Sequence, residues 1–451
     1  MMQGPHLSSP RSEPSPAFGD DDPRQIRERS SRYWRSRLRL ANALGMVLLI
    51  VWGGMWVEAF RVDRLDRGEG FWIPHLDRLA KDFVVHIGRT GKLWANGGNP
   101  YEPPEAWLAF PYPPLVPRLF TWTNFTGIRD AVAIWLIGIA TLTIAASCRS
   151  WRSREELGLR AIPRSLLITL VVFSTPVVFA MERGQCDVLV LPLLAAGVAS
   201  LKRGTRGLDL IAGIVFVVSA YVKYYPGLVV VGLLLLRRWY AVGSFVTAGA
   251  IIGLLDRQWL LGSKENMKIV IAMFVGDGKT QIHPCEHSLS ACWRPLWEFY
   301  NLSMIAELPG KVMAPLLILP MVLFVCVKVA RSCSVEPLLW PLMLWVVAAA
   351  TFIPPMANDY NLFFLPLAAV AVWDWRDPPL VHGLMAYLLL WWQPFELPIP
   401  GPMILSFKLG GLLAVGLCLC FRASSQHDET LAASRGASKS NRLEHLVVSN
   451  Q

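Results

Sequence analysis

The chain is dominated by apolar runs that are too long and too poor in charge for a water-soluble core. Residues 41–55, 131–146 and 313–329 are nearly charge-free and, with their flanks, reach the ~20 residues a helix needs to cross a bilayer. In lipid, each backbone donor and acceptor must be satisfied inside the structure, which makes the helix the solution for isolated runs of this kind. Comparable runs fall at 41–60, 128–147, 164–181, 187–201, 208–223, 226–236, 240–255, 311–330, 337–353, 360–373, 379–393 and 403–421. The 226–236 run is too short for a straight span, and Pro226 marks a break or a re-entrant turn. The expectation is an all-α polytopic membrane protein with about 10–12 transmembrane helices. Composition agrees, since 53% of residues are apolar and only 17% charged, against about a quarter charged in soluble proteins.

A net charge of +10 would direct a soluble chain towards nucleic acid. Here the excess sits in short joints between apolar runs, at 149–164, 202–206, 237–238 and 328–331, as the positive-inside rule expects of cytoplasmic loops. Nucleic acid is therefore not an expected partner; membrane lipids are. The alternation makes 61–127, 182–186, 224–225, 256–310, 354–359 and 394–402 extracytoplasmic. The two long loops are rich in Trp, Phe and Leu and are expected to carry interfacial helices. Residues 1–40, Pro/Ser-rich and then Arg-rich without a small-residue cleavage site, read as a disordered basic cytoplasmic tail. Residues 41–421 form the membrane domain, and 422–451 a second disordered cytoplasmic tail.

Eight cysteines show no CxxC pair and no His spacing suited to zinc. Cys285 and Cys292 share one loop, where an oxidising compartment would permit a disulfide.

The chemistry-bearing residues gather on the extracytoplasmic side. The first loop carries Asp82-Phe83, Gly97-Gly98-Asn99-Pro100-Tyr101 and Phe110-Pro111-Tyr112-Pro113-Pro114-Leu115, an acid among turn-forming residues and rings able to stack on a sugar. Met181-Glu182-Arg183-Gly184-Gln185 packs an acid, a base and an amide into a short hairpin. Tyr221-Val222-Lys223-Tyr224-Tyr225-Pro226 places a lysine deep in an apolar run, costly unless it snorkels or meets an anion. Glu286-His287-Ser288-Leu289-Ser290 with Trp293-Arg294, and Asn358-Asp359-Tyr360-Asn361, lie on the same side. Taken singly, each is also what an ordinary loop contains. Together they supply cations for a phosphate and a carboxylate for a proton. A transporter or lipid flippase would also use broken helices and a buried lysine, but the chain has no second half repeating Lys223 and Pro226.

The order of these motifs over residues 40–420 resembles glycosyltransferase family 87, integral-membrane enzymes of the GT-C fold that use polyprenyl-phosphate-linked sugars, typically mannose. Glu182-Arg183-Gly184-Gln185, Lys223-Tyr224-Tyr225-Pro226 and Arg237-Arg238-Trp239 are similar to that family's Gly-Gln turn, Lys-x-x-Pro segment and basic joint. The chain departs from the family at Val85-His86, where a tyrosine pair is common, and at Asn358-Asp359-Tyr360, where a histidine is common. The resemblance implies Asp82 as the catalytic base, and Lys223, Arg183 and Arg294 as ligands of the donor phosphate. Asn99, Tyr101, Tyr112, Gln185, Tyr225, Ser288, Asp359 and Tyr360 are then the substrate-binding residues. It further implies a polyprenyl-phosphate-linked sugar donor, a lipid or glycan acceptor, and inversion at the anomeric carbon without a metal.

Overall fold

In a computed structural model, residues 23–61, 79–102, 109–160, 162–275, 287–332, 334–354, 357–374, 376–390 and 400–448 are described. Among them the regular structure is helical, with no strand. The chain opens with α1 (Pro23–Arg61), then a π-helical turn Phe83–Gly88 leading into α2 (Arg89–Ala95) and the single turn α3 (Leu115–Leu119). Next come α4 (Ile128–Glu156), α5 (Arg164–Val172), α6 (Thr175–Arg183), α7 (Val190–Lys202) and α8 (Arg206–Val222). They are followed by α9 (Val229–Leu235), α10 (Trp239–Leu255), α11 (Arg257–Val275), α12 (Leu289–Phe299) and α13 (Ser303–Ala306). The remainder is α14 (Gly310–Ala330), α15 (Leu339–Ala350), α16 (Phe364–Val372), α17 (Pro379–Leu390) and α18 (Gly401–Val448). Thus α1 begins inside the segment read as an N-terminal tail, and α18 continues into the segment read as a C-terminal one.

Four stretches, Ser36–Glu58, Ile128–Glu156, Gly310–Ala330 and Gly401–Ser425, are each long and apolar enough to cross a bilayer alone. Two bent pairs raise that number to six: α5 with α6, bent by 58°, and α10 with α11, bent by 87°. Other apolar runs of the sequence form shorter helices, such as Glu336–Ala350 and Asn361–Val372. The chain is a polytopic all-α membrane protein whose apolar runs are interrupted more often than hydropathy suggests. The 164–181 run breaks at Phe173-Ser174, where Ser174 adopts extended backbone and Pro176 follows in the first turn of α6.

The centre is α15, whose twelve residues are all buried, packed against the equally buried α16. Two tryptophans tie it to its neighbours: Trp340 Nε1 donates to Ser150 Oγ (2.9 Å) and Trp345 Nε1 to the Leu412 carbonyl (2.8 Å). Buried indoles need such partners, because an unpaired N–H in an apolar interior is costly. Helix α8 packs between α7 and α10. Gly213 lets α10 approach so closely that a Cβ there would lie 2.1 Å from the Ala241 carbonyl oxygen. By contrast α1 exposes Leu44, Val47, Ile50 and Val51, as a lipid-facing helix does.

The basic joints come together at one end. Lys202 pairs with Glu156, Arg238 with Asp209 (3.6 Å) and Arg422 with Asp377. Arg154 is buried and donates to the carbonyls of Trp373 and Arg160. At the other end of α4, Trp135 reaches the Gly184 carbonyl. From Trp135 to Arg154 is about 28 Å at ~1.5 Å per residue, close to the ~30 Å of a hydrocarbon core.

Candidate active site

Helix α6 ends on Gly184, which takes the left-handed conformation (φ 67°) and returns Gln185 N–H to the Ala180 carbonyl. That reversal aims Arg183 and Gln185 at the segment before the π-helical turn. The Ala80 N–H donates to the Glu182 carbonyl (2.6 Å), fastening the segment down. Asp82 is buried; Gln185 Nε2 donates to its Oδ2 and Arg183 Nη2 pairs with its Oδ1. Because an ionised carboxylate only accepts, the Gln185 amide must turn its NH₂ towards Asp82 and its oxygen away. That oxygen accepts from the Tyr112 hydroxyl at 3.1 Å. Phe83, next to Asp82, stacks on Trp135 with ring centroids 5.9 Å apart, and Trp135 Nε1 bonds the Gly184 carbonyl at 2.9 Å.

A second cluster lies on the other side of Tyr112. Helix α8 stops at Val222, and Lys223 takes an extended conformation ahead of the 3-10 turn Tyr225–Leu228 that Pro226 imposes. Lys223 Nζ lies 4.2 Å from the centre of the Tyr112 ring and 3.3 Å from Asp187 Oδ1. Asp187 is fully buried and also accepts from the Tyr225 hydroxyl and from Asn361 Nδ2 (2.9 Å). Tyr112 therefore joins the acid cluster through its hydroxyl and the lysine cluster through its ring.

The two clusters back a cavity of about 200 Å³. Tyr112, Lys223, Tyr225, Thr351, Asn358 and Asn361 give it a polar wall; Pro111, Pro113, Met267, Ile271 and Pro354 give it an apolar one. Asp82 is not among the lining residues; it stands behind Tyr112, reached through Gln185. A largely apolar cavity with a few convergent polar groups is the usual form of a small-molecule site.

The model of glycosyltransferase family 87 matches residues 110–353 of this chain. The chain belongs to glycosyltransferase family 87. It is accordingly a membrane glycosyltransferase, with a sugar donor and an acceptor as substrates, and the transporter reading is set aside. No curated protein and no solved structure matches it.

Within this family 87 glycosyltransferase, the matched region holds Tyr112, Arg183, Gln185, Lys223, Tyr225 and Ser288, while Asp82 and Asn361 lie outside it. Asn99 and Tyr101 support the wall from behind: Asn99 Oδ1 accepts from Tyr101 N–H (2.9 Å), and the Tyr101 hydroxyl donates to the Tyr112 carbonyl (3.0 Å). Burial holds the Tyr101 phenol well above its ordinary value, so it remains a donor. Ser288 caps α12, accepting from Ala291 N–H (3.1 Å) and donating to the Pro354 carbonyl. His287 Nε2 bonds Thr351 Oγ1 (3.0 Å), one layer behind the cavity. Arg294 is not brought to the cavity. Its side chain is 76% exposed and pairs with Glu298 one helical turn along α12 (2.7 Å). Asp359 and Tyr360 begin the 3-10 turn Asp359–Phe363, but their side chains lie outside the described residues. So does Cys285; Cys292 is buried on α12. Among the described residues no three of His, Cys, Asp and Glu are grouped to hold a metal ion.

Two residues of the site carry no obvious signal in the sequence. Asp187 opens an apolar helix and reads as a helix-start charge, and Asn361 reads as part of a loop. The available hint was a second acid five residues after Glu182, at the edge of a run otherwise without charge.

Proposed function

We propose that this glycosyltransferase moves a hexose, mannose before others, from a polyprenyl-phosphate-linked donor to a lipid or glycan acceptor, with inversion, on the extracytoplasmic face. The observation that carries the reading is Tyr112, whose ring and hydroxyl bind a lysine cluster and an acid cluster to one cavity wall. In the reaction, the acceptor hydroxyl oxygen attacks the anomeric carbon as the bond from that carbon to the phosphate oxygen breaks. The hydroxyl proton passes to Asp82; because that carboxylate stands behind Tyr112, this step needs the Tyr112–Gln185 layer to open towards the cavity as the acceptor binds. The lipid phosphate leaves with its charge met by Lys223. Direct displacement of this kind inverts the anomeric centre. General-base help of this sort is worth roughly 10²–10⁴-fold, and fixed cations at the developing charge add further stabilisation.

Asp82 retains capacity for that role. Gln185 and Arg183 take one lone-pair direction on each oxygen, and a carboxylate has about four in all. Lys223 and Arg183 each stand beside a carboxylate, so the described wall carries little surplus positive charge. That balance suits a monoanionic phosphodiester better than a diphosphate. The basic joints lie a bilayer's thickness away along α4, which supports an extracytoplasmic site and cytoplasmic termini under the positive-inside rule.

The test is sugar transfer by the purified full-length protein in nanodiscs, supplied with labelled polyprenyl-phosphate-mannose and a pool of lipid and glycan acceptors. Wild-type transfer that collapses in a folded Asp82→Asn variant is the expected result. Transfer surviving in that variant would move the base elsewhere. Absence of transfer from mannose, arabinose and glucose donors alike would overturn the donor class.

A further inference from the structure

Asp187 does not line the cavity, yet three side chains that do line it converge on its carboxylate. They come from three separate elements: Lys223 from the end of α8, Tyr225 from the 3-10 turn before α9, and Asn361 from the 3-10 turn before α16. The carboxylate has no solvent exposure. An ionised acid in such a place is unfavourable unless donors and a counter-charge surround it. Here the Tyr225 hydroxyl and Lys223 address Oδ1, and Asn361 Nδ2 addresses Oδ2. All three groups present hydrogens, which suits a group that only accepts. An asparagine of the same shape would turn an NH₂ against one of them.

We propose that Asp187 is a positioning residue, holding the Lys223 ammonium together with the Tyr225 and Asn361 side chains in the arrangement that receives the phosphate of the donor. This rests on the reading that Lys223 meets that phosphate. Asp187 touches no reacting atom; it acts through the residues it holds. Two opposing effects follow from removing its charge. An arriving phosphate loses a nearby repulsion, which favours binding. Against that, Lys223 loses its counter-charge in a pocket walled by Tyr112 and Tyr225, and two hydrogen-bonded side chains lose their anchor. The second effect is the larger, because a buried ammonium that loses its carboxylate is held less firmly in place, as are the two side chains that lose their anchor.

The experiment measures equilibrium binding of a fluorescent polyprenyl monophosphate, and of the matching uncharged polyprenol, to the full-length protein in nanodiscs. Asp187→Asn is expected to weaken binding of the phosphate by about tenfold, the equivalent of one charge-assisted hydrogen bond, and to leave the polyprenol unmoved. In a Lys223→Met background it should add no further loss, the signature of two residues acting as one unit. Unchanged or tighter phosphate binding by Asp187→Asn would overturn the proposal and make Asp187 a competing counter-ion. Equal loss of both lipids, or additive losses in the double variant, would reduce it to a scaffold residue. If Lys223→Met alone leaves phosphate binding intact, the phosphate reading of Lys223 fails and takes this proposal with it. Should Asp187→Asn not fold, Tyr225→Phe removes one of its donors more gently. A loss of about threefold for the phosphate alone is then expected, again absent in the Lys223→Met background.

Discussion

The Tyr112 hydroxyl donates to Gln185 Oε1 at 3.1 Å, while Gln185 Nε2 donates to Asp82. One phenol on the first described loop thereby sets the orientation of an amide 73 positions later, and that amide sets the carboxylate. Gln185 is fully buried, so its oxygen has no solvent to turn to when the phenol is gone. Tyr112→Phe should therefore leave an unpaired acceptor behind Asp82. A loss of about tenfold in sugar-transfer rate is expected, with thermal stability lowered by only about 1 kcal/mol. Tyr112→Leu also removes the ring over Lys223 and should cost more. Parallel rate and unfolding measurements check this; equal rates for Tyr112→Phe and wild type would break the link from phenol to carboxylate.

Gly184 is the hinge of the same cluster. Its φ of 67° disfavours any residue with a Cβ, and that Cβ would stand 2.7 Å from Phe83 Cβ and 2.9 Å from Ala80 Cβ. Left-handed backbone costs an L-residue roughly 1–2 kcal/mol. The contact with Ala80 and Phe83 adds displacement of the very segment that carries Asp82. Gly184→Ala is expected to lower stability by about 2–3 kcal/mol and to reduce transfer at least tenfold. Unfolding in detergent and the transfer assay report the two effects separately. Full activity in this variant would mean that Asp82 needs no such exact seat.

Much of this was legible in the sequence, for identifiable reasons. The apolar runs gave the helices, because in lipid the backbone leaves few alternatives. The order Asp82, Tyr112, Gln185, Lys223, Tyr225 contained residues the fold does bring to one cavity wall and the layer behind it, since short polar interruptions between spans have few places to go. Arg294 misled because reach depends on helix face: its guanidinium runs along α12 to Glu298 instead of inward. Asp187 was missed because its meaning lies in partners 36 and 174 positions away, Lys223 and Asn361. Hydropathy does not register the break at Phe173-Ser174 or the 87° bend at Asp256, so runs that read as straight helices are bent ones.

That second bend has its own anchor. Arg118 Nη1 and Nη2 each donate to Asp256 at 2.6 Å, and the Tyr221 hydroxyl donates to the same carboxylate. The guanidinium also lies 5.0 Å from the Trp94 ring. This two-pronged pair ties α3 to the corner between α10 and α11. Lysine keeps the charge but cannot reproduce the fork or the stacking. Arg118→Lys should lower stability by about 1–2 kcal/mol and Asp256→Ala by about 2–3 kcal/mol, the latter leaving the guanidinium unpaired. Thermal unfolding of the two variants in detergent is the measurement, and equal midpoints for wild type and Arg118→Lys would show the fork to be dispensable.

His86 gives the fold a directed response to acid. It sits on the π-helical turn four residues after Asp82, and burial lowers its pKa below the usual 6.5. The Asp82 charge opposes that shift; Arg183, Arg89 and Lys81 reinforce it. Its Nδ1 is buried with no hydrogen-bond partner, so the folded protein holds the neutral ring. Because the folded form binds the proton less readily than the unfolded chain, the unfolded state takes up more protons as the solution is acidified. The contribution of His86 to stability is therefore complete above pH ~6.5 and falls away as pH drops towards the lowered folded-state value. Unfolding midpoints of wild type and His86→Gln in nanodiscs at pH 7.5, 6.5 and 5.5, values chosen to bracket the free imidazole, isolate this from the titration of other groups. Wild type should lose stability faster than the variant between the upper and lower pH. Parallel slopes would mean that the fold does not shift the titration of the ring, and a wild type that gains on the variant as pH falls would mean that the ring is held protonated beside Asp82.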